Sequence, residues 1–368
     1  MTPPFGIGLV GIQPGRSWGH LAHVPAIAAL PDAFRLVGIA NTSLESASAA
    51  VDAIGVGRPF ADVDALVQAE DVDVVTVCVK VPHHKEIVRK AIAAGKHVYC
   101  EWPIGNGLAE AREMTEWANE RGVLAVAGTQ ARMAPAFHYL RDLVADGYVG
   151  DIVSATLIGS GMSWGGGTEV PNAYTLDVRN GAHMLTIPFG HTLSAVADVL
   201  GHVASVSALV KTMRPQATVA ETGAVVPVTS PDQVLVAAEL ASGVPLSIHY
   251  RGGMPRGTGL LLEINGTKGD LQLTGIGGHA QYVELSVSGG QGEQTALSPM
   301  PIPESYRPAL GLDTYAQNVG EMYKAMASDL REGTRSAPTF ADAVRTHQLI
   351  AAIEQADATG RRVAVAEL

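Results

Sequence analysis

The first third of the chain carries the tightest constraint on the fold. Residues 73–79 read DVVTVCV, a run with no polar alternation, which suits a strand buried on both faces. Comparable apolar runs stand at residues 5–10, 35–40, 97–100 and 124–127. Between them, residues 23–30, 44–54, 62–68, 82–94 and 108–121 have helical composition, the second being Ala-rich. Strand and helix alternating over short links predict a parallel sheet covered by helices. After about residue 130 the pattern changes. A helix is expected at 135–146 and another at 191–200. Strands are expected at 152–158, 204–211, 233–240, 245–250, 259–265, 269–273 and 282–287, with turns such as Ser242-Gly243, Asn265-Gly266 and Lys268-Gly269. The end returns to helices at 314–332 and 340–359. Segments 161–181 and 289–308 read as Gly/Pro/Ser-rich loops, and long loops in a compact domain often carry function.

Composition narrows the class. Of the 368 residues, 47% are hydrophobic, which excludes wholesale disorder. The 41 glycines follow no three-residue period, which excludes a collagen-like chain. With 25 Lys plus Arg against 36 Asp plus Glu, the net charge is −11, and no Lys/Arg cluster offers a footprint for nucleic acid. An anionic membrane surface would repel such a chain. Cys78 and Cys100 lie in apolar runs with no CxxC partner, so reduced thiols in a cytoplasmic protein are expected. No positive region precedes the short apolar run after Met1-Thr2-Pro3-Pro4, so it does not read as a signal peptide. No apolar stretch reaches the ~18 residues of a membrane span.

The first strand runs into Gly11-Ile12-Gln13-Pro14-Gly15-Arg16-Ser17-Trp18-Gly19. This is where a Rossmann fold turns a glycine loop toward a pyrophosphate at a helix N-terminus. The G-x-G-x-x-G spacing is absent: position 13 is Gln and the glycines stand at 11, 15 and 19. An ordinary Gly-rich turn stays open as a reading. After the second strand, Asn41-Thr42 replaces the acidic residue that would take the ribose hydroxyls of NAD, and no Arg follows at once. The choice between NAD and NADP is therefore left open.

Residues 77–103 read VCVKVPHHKEIVRKAIAAGKHVYCEWP. With Pro82, His84, Glu86, the AIAAGKHV run and Glu101-x-Pro103, this segment resembles the Gfo/Idh/MocA family of nicotinamide-dependent oxidoreductases. Gln130-x-Arg132-x-x-Pro135, Gly147-x-x-Gly150-Asp151 and Pro338-Thr339-Phe340-Ala341-Asp342 extend the resemblance over nearly the whole chain. Ser17-Trp18, His23-x-Pro25-Ala26, Asn41, Val79-Lys80-Val81-Pro82, Glu101-Trp102 and Ile187-Pro188-x-Gly190-His191-Thr192 look closer to its Gal80-like branch. The resemblance implies an α/β N-terminal Rossmann domain over 1–130. An α+β C-terminal domain follows over 131–368, with a large, mostly antiparallel open-faced sheet. The C-terminal helices have the option of packing back on the first domain.

It also implies a site. Cofactor contacts would come from Gly11, Gln13, Gly15, Ser17, Trp18, Asn41, Thr42, Val79, Lys80, Pro82, His84, Glu101, Trp102 and Gln130. His191 falls on the family's catalytic His, and Lys80 is a candidate replacement for its Lys. Family enzymes carry Glu-Lys-Pro where this chain has Glu101-Trp102-Pro103, and an Asp where it has Ile187. Trp102 cannot exchange a proton in that role. Substrate contacts are expected from Trp102, Arg132, Tyr174, Asp177 and His183. Four have a plainer reading: His191 as a helix cap, Lys80 as a strand-end charge, Asp177 as a turn former, Arg132 as a brace. The neighbouring His83-His84 pair lacks a surrounding ligand set, so no metal is expected.

The function expected is NAD- or NADP-dependent hydride transfer on a sugar, sugar derivative or cyclitol. Alternatives are a non-catalytic nucleotide-binding regulator, or a lyase, hydrolase or epimerase that retains NAD through transient oxidation. The resemblance further implies a homodimer or homotetramer.

Overall fold

The computed structural model describes residues 3–307 and 310–368. Elements follow in chain order: β1 Phe5–Val10, α1 Val24–Ala28, β2 Phe34–Ala40, α2 Leu44–Ile54, β3 Arg58–Pro59, α3 Val63–Gln68, β4 Val74–Val77, α4 His84–Ala93, β5 His97–Glu101, α5 Leu108–Arg121 and β6 Ala125–Gly128. Then come α6 Pro135–Ala145, β7 Ile152–Ser160, β8 Gly167–Thr168, α7 Pro188–Leu200, β9 Val203–Lys211, β10 Gln216–Val219, β11 Val225–Pro227 and β12 Gln233–Leu240. The chain continues with β13 Pro245–Arg251, β14 Leu260–Gly266, β15 Gly269–Gly275, β16 Leu285–Gln291, β17 Ser298–Met300, α8 Thr314–Glu332, α9 Phe340–Thr359 and β18 Val363–Ala364. Two compact units result. Among the described residues, one holds 3–130 with 310–344, the other 131–307 with 345–368.

In the first unit six parallel strands lie in the order β3-β2-β1-β4-β5-β6. The chain runs outward from β1, then crosses to β4, so the order reverses between them. That switch point is where open α/β sheets bind ligands, at the carboxyl ends of the strands. Val74, Val75 and Val77 are fully buried, as the unbroken apolar run requires. The helices are fixed by ordinary caps. Ser43 accepts from Ser46 N to start α2, Asp62 from Ala65 N to start α3, and Asp313 from Tyr315 N and Ala316 N to start α8. Gly55, Gly122 and Gly333 end α2, α5 and α8 in the left-handed conformation. Helix α8 joins this unit through a buried stripe that includes Val319, Met322, Tyr323 and Met326. Tyr323 stacks on Tyr99 at 5.0 Å and meets Phe34 edge-on at 5.4 Å. The segment after it returns to the sheet, where Ala127 N donates to Pro338 O.

The second unit is built on a nine-stranded sheet, ordered β17-β16-β15-β14-β7-β13-β12-β9-β18. Only β7 and β13 pair in parallel; the other neighbours are antiparallel. Period-two patterning sends Val234, Val236, Leu246, Ile248, Leu157, Leu262 and Ile264 to the inner face, where they are buried. On the outer face, paired registers align Leu209, Leu235, His249, Ile158 and Leu261 in one row across β9, β12, β13, β7 and β14.

Several expected elements move. The third apolar run pairs only through Val77, because the chain must turn before Pro82; Lys80 therefore lies beyond the strand and opens the turn Val81–His83. Helix α7 starts at Pro188, three residues early, since Pro suits a first helical position. The strand expected at 282–287 sits at Leu285–Gln291 instead. The loop at 161–181 contains β8 and two 3-10 turns, Val170–Leu176 and Val178–Asn180. The loop at 289–308 contains the end of β16, all of β17 and the turn Glu304–Tyr306; its last residue, Pro308, lies outside the described residues, as do Met1 and Thr2.

Candidate functional site

The first unit concentrates its candidates at the switch point. Gly11 has φ +99°, and a Cβ there would meet Val79 Cγ1 at 2.7 Å and the Cys78 carbonyl at 2.8 Å. A Cβ on Gly19 would meet Ile12 Cδ1 at 2.6 Å. Gly15, at φ +75°, has no atom within 4 Å of its Cβ position. The irregular spacing thus keeps three separate glycine jobs: a tight turn, an open loop tip and close packing behind it. Ser17 Oγ accepts from Gln13 N at 2.9 Å and from His20 N at 3.3 Å, closing the loop on itself. Gln13 is exposed, and Trp18 meets Tyr315 edge-on at 6.1 Å.

Asn41 braces this loop from β2. Its Oδ1 accepts from Ile12 N at 2.9 Å, and its Nδ2 donates to Ile12 O at 2.8 Å and Ser46 O at 3.0 Å. Its amide is committed to protein, and the exposed Thr42 follows it. His84 lies under the other side of the switch point. Its Nε2 stands 3.0 Å from Val79 O and its Nδ1 2.9 Å from Pro103 O, joining the ends of β4 and β5. Burial lowers its pKa, against those two carbonyls. Lys80 and Pro82 are exposed, and Val79 is half-buried against Gly11.

Glu101 ends β5 within a buried polar chain. Its Oε1 lies 2.9 Å from His23 Nε2 and accepts from Gln130 Nε2 at 2.6 Å. His23 Nδ1 is 2.8 Å from the Tyr323 hydroxyl, which is 2.9 Å from Thr76 Oγ1. Gln130 Nε2 also reaches the Tyr99 hydroxyl at 3.2 Å. Gly128 is glycine under this carboxylate, since a Cβ would meet Glu101 Oε1 at 2.7 Å. Trp102, next to it, is buried, at 4% exposure. Sequence reasoning missed Thr76 and Tyr323 in this chain. Tyr323 was legible only as one of the buried i, i+3, i+4 positions of α8.

The second unit holds the substrate candidates. His191 lies in the first turn of α7 and is 3% exposed, and its Nδ1 has no hydrogen-bond partner. Burial first, and His279 beside it, push its pKa down to about 3. His183 is 2% exposed with an equally unpartnered Nδ1, and burial takes it to about 4. Its backbone accepts from Ile187 N at 2.7 Å, which sets the entry to α7. His279 is fully committed by contrast. Its Nδ1 is 3.0 Å from Gln281 Nε2 and its Nε2 is 2.8 Å from Gly161 O. The loop that starts at Gly161 carries Met162 and Trp164 at positive φ, 58° and 60°, a strained backbone for side-chain residues. Trp164 stacks on His279 at 6.2 Å and donates to Thr175 O at 3.3 Å, so this loop is pinned.

The remaining candidates are engaged by protein groups. Asp177 takes Arg179 at 2.6 Å and caps the turn Val178–Asn180, and that guanidinium holds its carboxyl down at about 2. Arg132 pairs with Asp198 of α7 at 2.8 Å, and Arg141 reaches the same carboxylate at 3.3 Å. Tyr174 is half-buried, which raises its pKa. A cleft of about 610 Å³ in this unit is lined by Met162, Ser163, Arg214, Gly252, Met254 and Arg256. Among the described residues no group of three or more His, Cys, Asp or Glu is arranged to hold a metal.

Comparison with known proteins places these two halves. Residues 5–129 match the model "Oxidoreductase family, NAD-binding Rossmann fold", and residues 135–275 match "Gal80p, C-terminal domain". The chain thus joins a first part that resembles the Gfo/Idh/MocA oxidoreductases to a second part that resembles the C-terminal domain of Gal80p. It is similar to the galactose/lactose metabolism regulatory protein GAL80 of Saccharomyces cerevisiae, with 26% identity over 99% of this chain and 95% of that one. It is also similar to the dehydrogenase aclE of Aspergillus oryzae, at 29% identity over 75% of this chain and 78% of that one. Its fold matches a levoglucosan dehydrogenase solved with NADH and L-sorbose: TM-score 0.85, 22% identity, 99% of each chain. No helix among the described residues is long and apolar enough to cross a membrane.

Proposed function

We propose that this chain is an NAD- or NADP-dependent oxidoreductase acting on a hydroxyl or ketone of a sugar, sugar derivative or cyclitol. The observation that carries the reading is His191 Nδ1, a buried polar atom with no protein partner. Leaving such an atom unpaired costs about 1–3 kcal/mol, and a substrate hydroxyl is one group that would relieve that cost. With a pKa of about 3, the imidazole is neutral at pH 7 and accepts a hydrogen bond. It is a weak base, but the hydroxyl proton becomes strongly acidic as the carbon it sits on turns into a carbonyl, so transfer late in the reaction is feasible.

The loop built on Gly11, Gly15 and Gly19, braced by Asn41, fits a dinucleotide, with Val79, Lys80, Glu101 and Trp102 at the strand ends beside it. A nicotinamide dinucleotide, when bound, supplies the hydride acceptor. A cytoplasmic location and a homodimer or homotetramer complete the proposal. The outward row Leu209, Leu235, Ile158 and Leu261 supports a second copy packing on the open sheet face.

A regulator without turnover is the second reading, favoured by the buried Trp102 and by Ile187 at the positions of the family's Lys and Asp. The test is reduction of NAD and NADP against a panel of sugars, sugar acids and cyclitols. Turnover that His191→Ala abolishes, with dinucleotide binding retained, supports the enzyme. Dinucleotide binding without turnover, joined by activity appearing in Trp102→Lys, supports the regulator and rejects the enzyme.

A further inference from the structure

In the cleft of the second unit, two loops meet glycine to glycine. Gly165 lies on the loop after β7 and Gly253 on the loop after β13, and a Cβ on Gly165 would stand 2.8 Å from the Gly253 Cα. A Cβ on Gly252 would meet Trp164 O at 2.4 Å. Gly253 N donates to Ser163 O at 2.6 Å, and Gly161 N donates to Arg251 O at 2.8 Å. Arg251 Nη2 donates to Thr258 O and closes the base of the second loop. These contacts hold both loops in place as walls, and they keep Met162 and Trp164 in the left-handed region, a strain that clusters at ligand sites.

Among the described residues the charged groups lining this cleft are Arg214 and Arg256, and no carboxylate lines it. The two come from separate links, β9–β10 and β13–β14. Arg214 Nη1 donates to Asp232 Oδ2 at 3.1 Å. Asp232 is 2% exposed, and its Oδ1 accepts from Met213 N at 2.7 Å. That buried carboxylate fixes the Arg214 guanidinium and leaves its other donors unused. Arg256 is exposed and makes no ion pair or hydrogen bond among the described residues. Its charge is therefore not neutralised, and the cleft is locally positive in a chain of net charge −11. Guanidinium forks match the paired oxygens of a carboxylate or a phosphate. A volume of about 610 Å³ is that of a small-molecule site. We propose that this cleft binds a small organic anion by its carboxylate or phosphate group, with Arg214 as the fixed donor and Arg256 as the unneutralised charge. The inference stands apart from the hydride-transfer reading, since it uses neither the glycine loop nor His191.

The experiment is calorimetric titration of the full chain, and of Arg256→Gln, with D-glucuronate, D-glucose 6-phosphate and uncharged D-glucose, at low and at raised salt. Arg256→Gln breaks no hydrogen bond or ion pair of the described residues, and thermal unfolding checks that the variant stays folded. The expected result is that one anion or both bind roughly tenfold or more tighter than glucose, and that the preference weakens as salt rises. Arg256→Gln should remove roughly tenfold of that affinity. Tighter binding of glucuronate names the carboxylate as the group held, and tighter binding of glucose 6-phosphate names the phosphate; each supports the inference. Anions that bind no tighter than glucose overturn it, as does failure of both anions to bind. An anion affinity unchanged in Arg256→Gln also overturns it, and places the anion elsewhere on the molecule.

Discussion

Both units bury histidines, and the ring nitrogens are committed to different degrees. In the first unit His23 and His84 have both ring nitrogens within hydrogen-bond reach of a partner, and each ties separate segments together. In the second, His279 is committed in the same way, while His183 and His191 each keep an Nδ1 without a hydrogen-bond partner. A scaffold spends its polar groups on itself; a site holds some in reserve for a ligand. The difference teaches where to look for a ligand in this chain.

Acid should break the comparison most visibly. His183, His191, His279 and His347 all belong to the second unit, and burial lowers them to about 4, 3, 4 and 3. Their unfolded value is 6.5. The unfolded chain therefore binds more protons below pH 6.5, and stability is full above that value. It falls as pH drops toward 3–4, by about 1.4 kcal/mol per pH unit for each histidine. Hydrogen exchange followed by mass spectrometry between pH 7 and 4.5 should show protection lost in β7–β16 before it is lost in β1–β6. Equal loss in both units would contradict this account.

Substituting the two kinds of histidine sharpens it. His84→Leu removes the bridge between Val79 O and Pro103 O and should cost about 2–3 kcal/mol in urea unfolding. His191→Leu removes an unpaired nitrogen and should cost less than about 1 kcal/mol, or stabilise, while abolishing any turnover. A large stability loss in His191→Leu would mark it as structural. The smallest effect is expected at the loop. Asn41→Ala leaves Ile12 N and O without their side-chain partner, for about 1 kcal/mol, and should weaken dinucleotide binding more than it weakens folding. Parallel calorimetry and thermal unfolding separate the two.

Much of the fold was readable because it depends on local pattern. The unbroken DVVTVCV run and the Ala-rich helices define a doubly covered parallel sheet without reference to any partner. The alternation in residues 233–240 and 245–251 likewise sets the inner and outer faces of the second sheet. Site legibility was uneven. Glu101, Gln130, His84, His191 and the glycine positions stood out as candidates through their resemblance to the family's motifs. Asp177 and Arg132 were visible as residue types, but their commitment to Arg179 and Asp198 was not, because ion pairs between separate segments leave no periodic trace.

The sequence by itself determined strand and helix order, the two-part organisation, and which residues face the core. Each is a matter of residue type and short-range spacing. Tertiary structure alone decided that Tyr323, 300 residues from His23, closes the proton-bearing chain beneath Glu101. It alone decided that Asn41 braces the glycine loop and that His191 keeps a free nitrogen. Hydrogen-bond satisfaction and desolvation depend on what surrounds an atom in space, and the linear order of residues does not carry that information.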